Sequence, residues 1–227
     1  MLRRERSIVI AIDVDEVLAG VHGVMIAEYN RAKGTNYTIN DHADWDFKSI
    51  GSNYAEMMGF YVDAWQNHNQ EIRLLADPEK IRELGQYFVI DAPSSRGRDG
   101  VTDGACDGLM EWWERNKLEW FPFFCDSTKI DKLRLEYPVY IDDSPKLAEK
   151  IVSRNDNFLL LVDKPYNRHI EECSNILRTA DFNSAADEII DASIKIGHGK
   201  VHYQSPEGQA FIQGKKNWRE YRQRPLR

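Results

Sequence analysis

The sequence predicts an α/β fold, a doubly wound, Rossmann-like parallel sheet carrying a small helical insertion, on three observations. Five short apolar runs alternate in their later part with helix-like stretches. The strongest acidic signals stand directly after two of those runs. More than seventy residues separate the first run from the second, far too many for one crossover helix.

The runs lie at 8–12, 87–90, 120–124, 139–141 and 158–162. Each is rich in β-branched or aromatic residues and apolar on both faces, the pattern of strands covered by helices on either side. Helical patterns at 108–116 and 145–154, with a shorter one around 129–135, fall between the later runs, which implies right-handed crossovers. Between the first two runs, 21–33, 54–67 and 78–84 read as helices, punctuated by Gly51-Ser52-Asn53 and Asp77-Pro78. The expected organisation is therefore an α/β core from 1–18 and 85–196, a helical cap at 19–84, and a polar, basic tail at 197–227.

Composition bounds the function. With 42% hydrophobic and 30% charged residues in 227, the chain is long enough for one sizeable core and is globular in character. A net charge of −7 argues against a surface built throughout for nucleic acid, since Lys and Arg hold phosphate backbones. Cys106, Cys125 and Cys173 show neither a disulfide framework nor a zinc-knuckle spacing, and a reducing, cytoplasmic setting is expected. The basic start Leu2-Arg3-Arg4 precedes an apolar run that is too short for a leader or a membrane span and ends in Asp13-Val14-Asp15-Glu16. From Lys215 onward six Lys or Arg face one Glu, beside Trp218 and Tyr221. A solvated end is favoured over a nucleic-acid contact there.

The chemistry is read from the strand ends, where open parallel sheets place their ligands. Ile10-Ala11-Ile12 runs into Asp13 and Asp15; Val139-Tyr140-Ile141 runs into Asp142 and Asp143. Two acidic clusters at neighbouring strand ends repel unless a cation lies between them. Magnesium suits an all-oxygen donor set, and the lack of Cys or an obvious His partner argues against zinc. Ser127-Thr128-Lys129-Ile130-Asp131-Lys132 follows the third run, and a lysine there can balance the acidic site and phosphoryl oxygens; Lys132 is the first choice and Lys129 the second.

With its D-x-D-x-V run after a strand, its later Lys and its strand-terminal Asp-Asp, the sequence resembles the haloacid dehalogenase superfamily of phosphatases. Within it, Asp131-Lys132, Ile141-Asp142-Asp143-Ser144-Pro145 and Val162-Asp163-Lys164-Pro165-Tyr166-Asn167-Arg168 are similar to the 5'(3')-deoxyribonucleotidase-like branch, over roughly residues 7–170. The resemblance implies a Mg²⁺-dependent phosphohydrolase acting on a small phosphomonoester, a nucleoside monophosphate first. It implies Asp13 as nucleophile, Asp15 as general acid and base, and Lys132 at the phosphoryl group. It further implies a metal held by Asp13, the carbonyl of Asp15 and Asp143, with Asp142 orienting the shell.

One position departs from the family pattern. Asp91-Ala92-Pro93 follows the second run where a Thr or Ser is usual, which sets an acceptor-only carboxylate in the phosphate-binding place. Either Ser94 or Ser95 supplies the donor, with Arg96 and Arg98 compensating, or Asp91 points elsewhere, or ordinary phosphomonoester hydrolysis is lost. The alternative functions are then a catalytically impaired binding protein using its tail for a nucleic-acid or protein partner, or a sugar or metabolite phosphatase. Trp45, Trp65 and Tyr61 are read either as core or as a stacking surface for a nucleobase; Trp112 and Trp113 as packing; the six His as lacking metal-ligand spacing; and Pro165-Tyr166-Asn167-Arg168 as a structural loop. Oligomeric state is not legible.

Overall fold

A computed structural model of the chain describes residues 8–95, 103–126, 132–135, 137–154 and 156–195. Among these residues six parallel strands, β1 (Val9–Ile12), β2 (Val89–Ser95), β3 (Phe123–Asp126), β4 (Val139–Asp142), β5 (Phe158–Val162) and β6 (Ile176–Thr179), form one sheet in the order β3-β2-β1-β4-β5-β6. The strand order reverses between β1 and β4, so a crevice opens beyond their carboxyl ends. Apolar residues alternate across the sheet. Ile10, Ile12, Ile90, Ile141, Leu160 and Val162 join the larger core, whereas Ala11, Tyr140, Leu159 and Leu161 join a smaller one with Leu133, Leu147 and Ile151. Period-two packing into two cores explains why each strand reads as a continuous apolar run.

Among the described residues six helices accompany the sheet: α1 (Val21–Lys33), α2 (Tyr54–Asn67), α3 (Pro78–Tyr87), α4 (Asp103–Arg115), α5 (Pro145–Ile151) and α6 (Phe182–Lys195). Their ends follow local chemistry. Asn53 and Asp77 accept from the amides of Glu56 and Glu79, capping α2 and α3, and Pro78 fits the first turn of α3. Gly34, at φ +69°, ends α1 by returning its amide to the Asn30 carbonyl. Ser144 caps α5 and so fixes the chain immediately after Asp142 and Asp143.

The segment between β1 and β2 holds α1, α2 and α3, as the spacing predicts, together with short 3₁₀ turns at Ile39–Asp41, Lys48–Ile50 and Asn69–Glu71. Helix α1 packs on α2, and α2 packs on α4. Trp65 of α2 meets Trp112 of α4 edge to face at 6.0 Å, and the Trp112 indole donates to the Ile72 carbonyl at 2.9 Å. Helix α3 instead lies on α6, tied by a Lys80–Asp187 ion pair of 2.6 Å and an Asp77 amide bond to Asn183 Oδ1.

Several expectations are corrected. The second strand does not end at Ile90 but continues to Ser95, because Asp91-Ala92-Pro93 pairs with β1 and β3 instead of turning away. A sixth strand and α6 lie beyond the last elements expected. Polar Arg178 interrupts the apolar signal of β6, and Leu177 is 38% exposed, as suits a sheet edge. Cys106 is disulfide-bonded, which the reading of three cysteines without a disulfide framework did not anticipate, because sequence spacing does not register spatial approach; Cys173 is free and exposed. Trp65 is fully buried and is core, as are Trp112 and Trp113. Among the described residues no helix is long and apolar enough to cross a membrane.

Beneath the crevice, His42 stacks on Phe47 with ring centroids 4.0 Å apart, and His22 and Tyr166 pack around the pair. Burial pushes the His22 imidazolium down to about 4 and that of His42 to about 3. Both rings are therefore neutral in the fold, whereas in the unfolded chain they charge below about pH 6.5. Their contribution to stability is complete above that value and is lost as the pH falls toward 4. Imidazole NMR shifts of His22 and His42 are expected to stay those of the neutral ring at pH 5.5; a midpoint near the ordinary histidine value in either ring refutes the assignment.

Gly108 offers a second test. A Cβ there would lie 1.8 Å from the Trp65 carbonyl oxygen, a backbone atom unable to give way. Ala in an open helix gains about 1 kcal/mol over Gly. Here overpacking reverses the sign, and Gly108→Ala is expected to destabilise by about 3 kcal/mol, lowering Tm by roughly 6–12 °C. An unchanged or raised Tm would show that α2 and α4 do not meet this closely.

Candidate active site

Strand β1 delivers Asp13 and β4 delivers Asp142 and Asp143 to the point where strand order reverses. The Asp13 amide donates to the Ile141 carbonyl at 2.9 Å, so the two strand ends remain zipped together one residue past the sheet. As a result, carboxylate oxygens of Asp13, Asp142 and Asp143 lie within 4.8 Å of one another. Lys132 reaches Asp13 Oδ1 at 2.8 Å and Asp142 Oδ2 at 2.6 Å, bridging the strands. Asp142 also accepts the Ser144 amide at 2.8 Å, and Tyr166 donates its hydroxyl to Asp143. Every carboxylate of the trio is thereby aimed by a donor.

Three acidic groups in so small a space are electrostatically strained. Burial, opposed by Lys132 and reinforced by Asp142 and Asp15, raises the Asp13 carboxyl to about 7. Burial and the neighbouring Asp13 and Asp142 charges raise Asp143 well above the usual carboxylate range. Burial alone would discharge Lys132, but Asp13 and Asp142 outweigh it and hold the ammonium charged beyond its ordinary range. Among the described residues Lys132 is the cation in contact with the trio, and ionisation of all three carboxylates would leave a negative excess that a divalent cation can offset. The donor set is all carboxylate oxygen, as Mg²⁺ prefers, and an octahedron with ~2.1 Å bonds spans about 4.2 Å between opposite ligands. The trio, with ligand atoms within 4.8 Å of one another, is near that size.

Past Asp13 the chain turns sharply, with Glu16 in the left-handed region at φ +57°. The buried Glu16 accepts the His22 amide at 2.8 Å, serving at the start of α1, where Gly20 offers no side chain. Its other oxygen faces Lys164 at 3.5 Å. Burial raises the Glu16 carboxyl, against the opposing pull of Lys164. Asp15 is half-buried and accepts the hydroxyl of Tyr61, from α2, at 2.9 Å.

Of the residues singled out by sequence, Asp13, Asp142, Asp143 and Lys132 come together, and Asp15 adjoins them through Asp13. Asp91 does not stand at a strand end. It pairs with Ala11 in mid-sheet, is buried, and accepts the hydroxyl of Tyr137. Ser94 is buried opposite Cys125 in the register with β3. Trp45 is half-buried, its edge against Tyr166 at 5.5 Å and its face under the Lys146 ammonium at 5.8 Å. The side chain of Ser95, together with Arg96, Arg98, Lys129 and the 197–227 tail, lies outside the described residues.

Sequence reading undervalued Glu16, Lys164, Tyr166 and Asn167. Asn167 donates to the Asp143 carbonyl at 2.9 Å and to the Val162 carbonyl at 2.7 Å, and Arg178 in turn holds Asn167 and Asp163. Pro165-Tyr166-Asn167-Arg168 is thus tied to the acidic cluster itself and is more than a connecting loop. Its position after a strand was the available signal.

The fold is similar to that of known hydrolases. A haloacid dehalogenase-like family hydrolase from Xanthomonas campestris superposes with a TM-score of 0.51 at 11% identity, covering 87% of this chain and 97% of its own. A protein assigned as a phosphoglycolate phosphatase from Lactobacillus plantarum gives 0.53 at 12% identity, covering 82% and 98%. A hydrolase from Pseudomonas syringae gives 0.50 at 11% identity, covering 82% and 99%. No curated protein sequence matches the chain. The family model described as "5' nucleotidase, deoxy (Pyrimidine), cytosolic type C protein" matches residues 6–195, and the chain belongs to that family.

Proposed function

We propose that this phosphoric monoester hydrolase acts on a nucleoside monophosphate, depends on Mg²⁺, and works in the cytoplasm. The observation that carries the reading is the convergence of Asp13, Asp142, Asp143 and Lys132 at the reversal of strand order. Asp13 and Asp143 would hold the ion through side-chain oxygens and Asp15 through its carbonyl, with Asp142 orienting the shell. When bound, the ion neutralises the cluster and draws charge from the phosphoryl oxygens.

The free oxygen lone pairs of Asp13 attack phosphorus, the bond to the ester oxygen breaks, and an aspartyl-phosphate forms. Asp15, oriented by Tyr61, gives its proton to the departing alkoxide and then takes one from the water that cleaves the intermediate. Lys132 lies where its ammonium offsets charge on the transferring group while steadying Asp13 and Asp142. Helices α1 and α2 serve as a cap over this crevice, and Trp45, beside Tyr166, borders the place for a base. The burial of Asp91 and its hydrogen bond from Tyr137 support a structural role for that carboxylate, one compatible with turnover.

Asp13→Asn is expected to lower kcat by roughly 10³-fold or more, and Lys132→Met by roughly 10²-fold. Chelation should abolish turnover of the wild type and added Mg²⁺ restore it. Equal turnover by wild type and Asp13→Asn would eliminate the mechanism. A panel of nucleoside monophosphates against sugar phosphates tests the substrate half, since a higher kcat/KM for the sugars would move the assignment to a metabolite phosphatase. Asp91→Thr is expected to leave inhibition by inorganic phosphate unchanged; tighter inhibition would place Asp91 at the phosphoryl group.

A further inference from the structure

Away from the crevice, a second group of side chains converges between α1 and α2. Glu28 of α1, Asp63 of α2 and His68 just beyond α2 bring one ligand atom each within 4.8 Å of the others. The His68 Nε2 stands 3.8 Å from Glu28 Oε1 and 3.7 Å from Asp63 Oδ2. Those separations exceed a hydrogen bond, whose heavy atoms approach to about 2.7–3.2 Å. They come close to the ~3.4 Å between ligands of a tetrahedral ion with ~2.0–2.1 Å bonds.

The outer atoms of the same three residues are already engaged. Glu71 Oε1 lies 2.8 Å from His68 Nδ1, Asn67 donates to Asp63 Oδ1 at 2.6 Å, and Arg31 donates to Glu28 Oε2 at 2.5 Å. Glu28 supplies an independent observation: its side chain is 9% exposed, and no hydrogen bond reaches the buried Oε1 that faces the centre of the group. With Nδ1–H donating to Glu71, a metal ion takes the Nε2 lone pair in place of the proton that Glu71, Glu28 and Asp63 otherwise stabilise, since these carboxylates raise the imidazolium above its ordinary range.

We propose that Glu28, Asp63 and His68 form a zinc site that clasps α1 to α2, with the fourth position open to water. One nitrogen and two carboxylate oxygens suit Zn²⁺ and set this group apart from the all-oxygen cluster of Asp13, Asp142 and Asp143. It is also independent of the hydrolytic reading.

The test uses tag-free, metal-stripped full-length protein titrated with Zn²⁺ in saturating Mg²⁺, followed by calorimetry and by the visible spectrum after Co²⁺ replacement. Wild type and Asp13→Asn are each expected to bind one Zn²⁺ equivalent with a tetrahedral cobalt spectrum. His68→Gln and Asp63→Asn should lose that equivalent, and Glu71→Gln should bind roughly 10–100-fold more weakly. Circular dichroism verifies folding, and the exposed Asp63 provides a variant that tests the site without disturbing the core. The proposal is overturned if the wild type binds no zinc, if His68→Gln and Asp63→Asn bind it as the wild type does, or if Asp13→Asn alone loses it.

Discussion

The arrangement of the crevice depends on holding three carboxylates together against their mutual repulsion. Two like charges about 4 Å apart cost about 4 kcal/mol at an effective dielectric of 20, and Asp13, Asp142 and Asp143 present several such pairs. The surrounding structure answers each one. Lys132 bridges two of them, the Ser144 amide meets Asp142, and Tyr166 meets Asp143. The same three carboxylates form a group that could hold a metal ion, so the residues that would ligate a cation are also those whose ionisation it would ease.

Parallel topology makes this concentration possible. Adjacent β1 and β4 end at the same level, so a residue just past each strand projects into one crevice without any long loop to order. Precision comes from the backbone hydrogen bond between Asp13 and Ile141 and from the cap of α5 at Ser144. The helical segment then closes on the site from the other direction. Tyr61 reaches Asp15, and Glu16 links the turn after β1 to the start of α1.

Much of this was legible in the sequence where one kind of residue dominated locally. The runs that became β1, β4 and β5 are apolar without interruption, whereas β3 keeps only Phe123 and Phe124 of the 120–124 run and extends to Asp126, and α1 and α2 carry their own stop or start signals in Gly34 and Asn53. Asp at a strand end is by itself a common turn former, and Asp13 and Asp143 were legible because two such acidic pairs occur together with a lysine after a later strand. The far half of β2 was not, since Asp91 and Pro93 carry turn-forming chemistry that the sheet overrides by pairing on both sides. Edge strand β6 was hidden by Arg178, whose polarity serves the Asn167 loop. Contacts such as Tyr61 with Asp15, Tyr137 with Asp91 and His68 with Glu28 join residues 40 or more positions apart, and no local pattern announces them.

Asp91 shows how the same residue type takes different work according to its level in the sheet. Asp13 is one residue past a strand end, where the crevice exposes it to a ligand and to Lys132. Asp91 lies beside Ala11, whose small side chain leaves room in the interior, and the Tyr137 hydroxyl supplies the donor a buried carboxylate needs. Burial and the Asp91 charge together keep Tyr137 protonated far above its ordinary range, so that donor persists. The departure from the family pattern therefore lies two residues below the level of Asp13 in the sheet, where the carboxylate is buried and hydrogen-bonded.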